Sequence, residues 1–253
     1  MPLDLPRIMD SAGFHPAQSW SLGLSLCSTV FFASLCTVAR RYTSNLWNAT
    51  VVMSLTHAFG CIFWGGSILL RDESTVSGPS SPEEACLLAV SLGYFLVDIT
   101  LCVSVFKDWE STLHHAFCVV GEIGVLYTGL SGHIIIAFLF IAELSSPFLY
   151  SFETGFVPAG STAALVCQAL FAILFIGGRL GAGTLMSYSL LSNGEVPFLA
   201  KTSCIGLMSI SVLWATRIMR IAYDTLVGLL SPRKTELSEA KTSEPIVAGS
   251  TGC

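Results

Sequence analysis

A chain of 253 residues in which 53% of side chains are hydrophobic and only 11% are charged cannot coat a water-soluble globule, whose charged fraction is roughly 25%. Its mean hydropathy of +0.71 makes lipid the expected solvent. A formal charge of -5 with no basic stripe excludes a nucleic-acid-binding face.

The nine cysteines do not outline a disulfide framework. Eight of them, from Cys27 to Cys204, fall in apolar runs with no C-x-x-C pair and read as small hydrophobes. Cys253 lies outside these runs, and its surroundings do not form a prenylation box.

Residues 1–18, with Pro2, Pro6, Pro16, Asp4 and Asp10, lack the basic start of a secretory leader and are expected to form an exterior or lumenal tail. Seven apolar runs of about 20 residues, the length that crosses hydrocarbon, follow at 19–39, 51–70, 85–106, 112–130, 132–150, 162–190 and 199–222. Only Ser131 and Gly132 part the fourth from the fifth, and the sixth is long enough to be tilted or broken near Gly177 to Gly183. No alternating strand pattern is present, and lipid requires every backbone polar group to be satisfied internally. The expected fold is therefore an all-α polytopic bundle of about seven transmembrane helices. It divides into a tail at 1–18, a transmembrane domain at 19–225 and a disordered cytosolic tail at 226–253 rich in Ser, Thr, Glu and Lys.

Orientation follows the basic residues, which are retained on the cytosolic side. Seven spans place Arg40, Arg41, Lys107, Arg233, Lys234 and Lys241 on one side, and Arg7, Arg71 and Lys201 on the other. The C-terminus is expected in the cytosol, and the sequon Asn48-Ala49-Thr50 then faces the cytosol as well.

Titratable side chains inside the bilayer cost several kcal/mol each and are the first places to seek function. They are His57 in the second span, Asp98 in the third, His114, His115 and Glu122 in the fourth, Glu143 in the fifth and Arg179 in the sixth. Arg217 and Arg220 sit near a helix end and can snorkel. The short connection Lys107-Asp108-Trp109-Glu110 makes the third and fourth spans antiparallel neighbours. Tyr94 and Asp98, four apart, share a face, as do His115 and Glu122, seven apart. A Tyr, Asp, His, Glu column lining one cavity is therefore expected. Imidazole backed by carboxylate suits proton or acyl transfer; the bland alternative is that these groups satisfy one another, Glu122 and Glu143 with Arg179, and hold the bundle in register. His57 reads as a packed interhelical donor.

No metal is expected, because adjacent histidines point about 100° apart and no H-x-x-x-H or cysteine set accompanies them. The glycine-rich run Gly177-Gly178-Arg179-Leu180-Gly181-Ala182-Gly183 lacks the context of a phosphate loop and reads as small-residue helix packing.

Five stretches together resemble the TLC domain family, named for translocating-chain-associated, Lag and CLN proteins. They are Ser54-Leu55-Thr56-His57-Ala58, Gly93-Tyr94-Phe95-Leu96-Val97-Asp98, Leu113-His114-His115, Glu143-Leu144-Ser145-Ser146-Pro147-Phe148 and Phe175-Ile176-Gly177-Gly178-Arg179-Leu180-Gly181. The resemblance covers about residues 20–225. It implies a multi-pass lipid-handling protein of the endoplasmic reticulum or another secretory-pathway membrane. Membrane lipids are the implied partners, sphingolipid or acyl-CoA among them.

The family's ceramide synthases join an acyl group from acyl-CoA to a sphingoid amine, and their paired histidines match His114 and His115, with one imidazole acting as base or acyl acceptor. Those enzymes carry a histidine and two aspartates in the next span, where this chain has Glu143, Ser145, Ser146 and Pro147 and no aspartate. Two readings follow. In the first, the chain binds lipid or regulates membrane lipid composition through a polar intramembrane cavity formed by His57, Tyr94, Asp98, Glu122, Glu143 and Arg179, without a cofactor. In the second it is an acyltransferase, with acyl-CoA as co-substrate and His114, His115 and Asp98 as catalytic groups. A receptor or transporter is disfavoured by short loops and the absence of a repeated half.

Overall fold

The computed structural model describes residues 16–71 and 75–230. These fold into eight helices: α1 (Pro16–Tyr42), α2 (Leu46–Arg71), α3 (Pro82–Phe106), α4 (Trp109–Thr128), α5 (Gly132–Glu143), α6 (Ser146–Glu153), α7 (Thr162–Ser192) and α8 (Phe198–Leu230). No strand occurs among the described residues; Pro79 and Leu130 form one isolated bridge. The expected tail at 1–18 falls almost wholly outside the described residues, as does the tail from Ser231.

Local chemistry fixes the helix boundaries. α2 starts at Leu46, five residues before the apolar run, because the Asn45 side chain accepts from the Asn48 amide at 2.8 Å and caps it. A capping box between Ser81 and Glu84, with Pro82 in the first turn, starts α3 ahead of its apolar stretch. α4 starts at Trp109 because Asp108 Oδ1 accepts from the amides of Glu110 and Ser111. Gly129, at φ 69°, ends it in the left-handed conformation that suits glycine.

The fifth apolar run bends between α5 and α6, since Pro147 has no N–H to offer the Glu143 carbonyl one turn back. α8 runs eight residues beyond the expected end.

Three helices contain a π-helical turn: Cys61–Gly65 in α2, Cys102–Phe106 in α3 and Ile176–Ala182 in α7. The last of these coincides with the glycine-rich stretch where a break is expected.

Six helical rods are long and apolar enough to cross a membrane: α1, α2, α3, α5 with α6, α7 and α8. α4 has 20 residues, about 30 Å of helix, and its histidines and glutamates are what lower its hydropathy. The loops show which ends lie together. The Ser131 amide donates to the Gly78 carbonyl at 2.8 Å, the Gly132 amide to Ser80 Oγ at 2.9 Å, and Asn193 Nδ2 to Ser77 Oγ at 3.2 Å. The α2–α3, α4–α5 and α7–α8 connections thus meet at one end, as an antiparallel bundle of about seven spans requires.

The described residues up to Ala215 form one compact unit. Of the six long apolar rods α3 is the most enclosed and α7 the least, so α3 is the central post and α7 a peripheral one. Met53, Leu88, Val125, Ile136 and Leu190, all fully buried, bring α2, α3, α4, α5 and α7 to one core. Gly93 lets α1 approach α3 closely: a Cβ there would meet Ser28 Cβ at 2.5 Å and the Thr29 amide at 2.7 Å. Ser28 Oγ donates to the Val90 carbonyl at 2.7 Å across the same contact. The second unit, from Thr216, contains the last described turns of α8, with Ile221, Tyr223 and Leu226 exposed.

Candidate functional site

The polar side chains of the bundle gather around α3 and α4 in two adjoining groups. In the first, the buried Tyr94 hydroxyl lies 3.1 Å from Asp98 Oδ2, to which it donates, and 3.1 Å from Ser54 Oγ. Asp98 Oδ2 is in turn 3.3 Å from His115 Nδ1, and Cys102 Sγ is 3.9 Å from the same nitrogen. The His57 ring stacks on Tyr94 with centroids 4.0 Å apart and planes 11° from parallel. His57 Nε2 meets Ser91 Oγ at 2.9 Å and Cys61 Sγ at 3.4 Å. His57 Nδ1 faces Glu143 Oε1 at 3.9 Å, beyond hydrogen-bonding distance.

The second group surrounds a cavity of about 80 Å³, room for several water molecules or a short stretch of acyl chain. His114, Glu122, Glu143 and Arg179 line it, with an apolar wall that includes Phe138, Leu139, Leu207 and Met208. His114 points away from Asp98: its ring lies 5.0 Å from that of Trp214 and its Nε2 3.9 Å from Cys118 Sγ. The Trp214 indole N–H donates to Glu110 Oε2 at 3.0 Å. Glu143 Oε2 accepts from the Ser146 hydroxyl at 2.7 Å. Arg179, set in the π-helical turn of α7, donates through Nη2 to the Ala142 carbonyl at 3.3 Å and lies 4.9 Å from the Phe175 ring centroid.

Several of these groups are left wanting. His114 Nδ1 and Arg179 Nε are buried without a hydrogen-bond partner, and the buried Glu122 carboxyl, with the Ser91 hydroxyl beside it, makes no well-formed hydrogen bond. Buried polar atoms are overwhelmingly paired in folded proteins, so each exception needs a reason. His114, Glu122 and Arg179 line one cavity, whereas His57 Nδ1 and Ser131 Oγ, also unpaired, lie outside its lining.

The expected single column is therefore divided. Tyr94, Asp98 and His115 come together; Glu122 lines the cavity with His114 and reaches the first group only through Ser91, which His57 also meets. The adjacent imidazoles serve different neighbourhoods, as a 100° turn between consecutive helical residues requires. His57 and Glu143 connect the two groups.

A model of the TLC domain matches residues 16–220. The chain belongs to the TLC domain family. The match spans α1 to α7 and the part of α8 that carries Trp214, so every polar residue of the site lies within the TLC domain. No solved structure matches the fold.

Sequence reasoning missed the thiols and hydroxyls of this TLC domain. Cys61, Cys102 and Cys118 each follow a site residue by four positions, after His57, Asp98 and His114 respectively. That spacing puts each thiol on the same helical face as its partner. The signal was present, and treating cysteine only as apolar filler hid it. Ser54 and Ser91 carry no comparable signal.

Proposed function

We propose that this TLC domain is a multi-pass membrane protein that binds a membrane lipid in the cavity beside α4 and acts in membrane lipid composition. The observation that carries the reading is the convergence of unpaired buried atoms from His114, Glu122 and Arg179 on a space otherwise walled by apolar side chains. A lipid answers both demands. Its polar part supplies hydrogen-bond partners to the imidazole, carboxyl and guanidinium, and its chain lies along Phe138, Leu139, Leu207 and Met208. Within the family the chain resembles the branch of TLC domain-containing protein 5. Placement in the endoplasmic reticulum or a related secretory membrane, with the C-terminus cytosolic, belongs to the same proposal.

One observation favours the acyltransferase alternative. His114 lines the cavity with Nδ1 unpaired, which is what a base or acyl acceptor needs. The full chain, purified in mild detergent, separates the two readings. Lipid extracted from it and identified by mass spectrometry is expected at near-stoichiometric amounts, and to fall in Glu122→Leu and Arg179→Leu. Incubation with labelled acyl-CoA and amine or alcohol acceptors is expected to give no product; turnover abolished by His114→Ala would establish the enzyme instead. Protein that carries no lipid and shows no turnover would end both readings.

A further inference from the structure

The trio of Asp98, Cys102 and His115 lies outside the cavity lining and has a chemistry of its own. Its three donor atoms, a carboxylate oxygen, a thiol sulfur and an imidazole nitrogen, lie within 4.8 Å of one another. We propose that they bind a zinc ion, with a fourth coordination position left open.

Geometry comes first. Zinc takes oxygen and nitrogen ligands at about 2.0–2.1 Å and sulfur at about 2.3 Å in tetrahedral array, which sets ligand-to-ligand edges of roughly 3.3–3.6 Å. The His115 Nδ1 to Asp98 Oδ2 edge is 3.3 Å and the His115 Nδ1 to Cys102 Sγ edge 3.9 Å; the third edge is within 4.8 Å, so the thiol draws toward the other two ligands on binding. Asp98 and Cys102 are one turn apart on α3, where its π-helical turn begins, and His115 faces them from α4.

Charge and ligand type point the same way. One carboxylate and one thiolate balance a divalent cation, so the loaded site is neutral in a low-dielectric interior where an unbalanced charge is costly. Binding releases the Cys102 thiol proton to solvent. Thiolate with imidazole selects zinc over magnesium or calcium, which prefer oxygen. A supporting layer is also present, since the Tyr94 hydroxyl donates to Asp98 Oδ2 and fixes the carboxylate. The His115 and Asp98 side chains retain 13% and 11% exposure, and His115 lies about 9 Å of helix from the start of α4.

The test uses the full chain purified in mild detergent without chelators. Elemental analysis is expected to find about one zinc per chain, and absorption spectroscopy at the zinc edge one sulfur near 2.3 Å. Cys102→Ser and His115→Gln should each lower zinc content at least about tenfold under dilution, whereas His114→Gln should retain it. Protein without zinc, zinc without a sulfur ligand, or Cys102→Ser protein that keeps its zinc would each overturn the proposal. Should a variant not fold, the wild-type spectrum alone decides. Lipid is measured on the same samples, so a zinc-free, lipid-loaded protein rejects the metal site and leaves the cavity reading standing.

Discussion

His57 and Tyr94 stack with ring centroids 4.0 Å apart, and this contact joins α2 to α3 at the level where both polar groups begin. Around it, hydroxyls and a carboxylate provide directional bonds in an interior where dispersion alone would leave the helices free to slide.

Tyr94→Phe keeps the stack and removes the hydroxyl that meets Ser54 and Asp98. It is expected to lower stability by about 1 kcal/mol, read as an earlier midpoint in thermal unfolding of detergent-purified protein. An unchanged midpoint would mean that the hydroxyl network does not bind α2 to α3.

Gly93→Ala places a methyl group within 2.7 Å of Ser28 and the Thr29 backbone. Because a backbone cannot yield as a side-chain tip does, a loss of about 1–3 kcal/mol is expected. Gly23→Ala, whose Cβ meets nothing within 4 Å, should be neutral or slightly stabilising. Equal behaviour of the two variants in the same melt would contradict the close α1–α3 approach.

Glu122→Leu removes a buried carboxyl that makes no well-formed hydrogen bond, with only the Ser91 hydroxyl beside it. Stability in lipid-free detergent should rise by about 1–3 kcal/mol while retained lipid falls, the opposing changes expected of a binding residue. A destabilised variant would show instead that Glu122 is a structural partner.

With seven spans, the Asn48 sequon and the C-terminus share one face, which the proposed orientation puts in the cytosol. Asn48 should remain unglycosylated in cells, and an epitope appended after Cys253 should be reached by antibody once the plasma membrane alone is permeabilised. Glycan on Asn48 would invert the topology.

The spans and their polar residues were legible because lipid imposes strict rules on length and charge. Helix starts were less legible, since Asn45, Ser81 and Asp108 extend helices beyond the apolar runs by capping them. The separation of Glu122 from His115 was hidden for a different reason. Seven residues of α-helix place two side chains on one face, yet which neighbours fill that face depends on packing against α5, α7 and α8 that spacing cannot encode. The thiols at i+4 were in plain view, and only the assumption that cysteine is inert in lipid concealed them.

Each π-helical turn bonds five residues back where an α-helix bonds four, and so carries one residue more than the regular ladder needs. Deleting a single residue from Ile176–Ala182 would restore that ladder and leave the flanking segments of α7 near their present phase, because the widened turn already absorbs the extra residue. Ser187 would still face inward, whereas Arg179 would lose the widened turn that sets its guanidinium against the Ala142 carbonyl. A one-codon deletion in this stretch would thus change the aim of Arg179 more than the course of the helix, and the extra residue is where a purely periodic reading of α7 goes out of step with its partners.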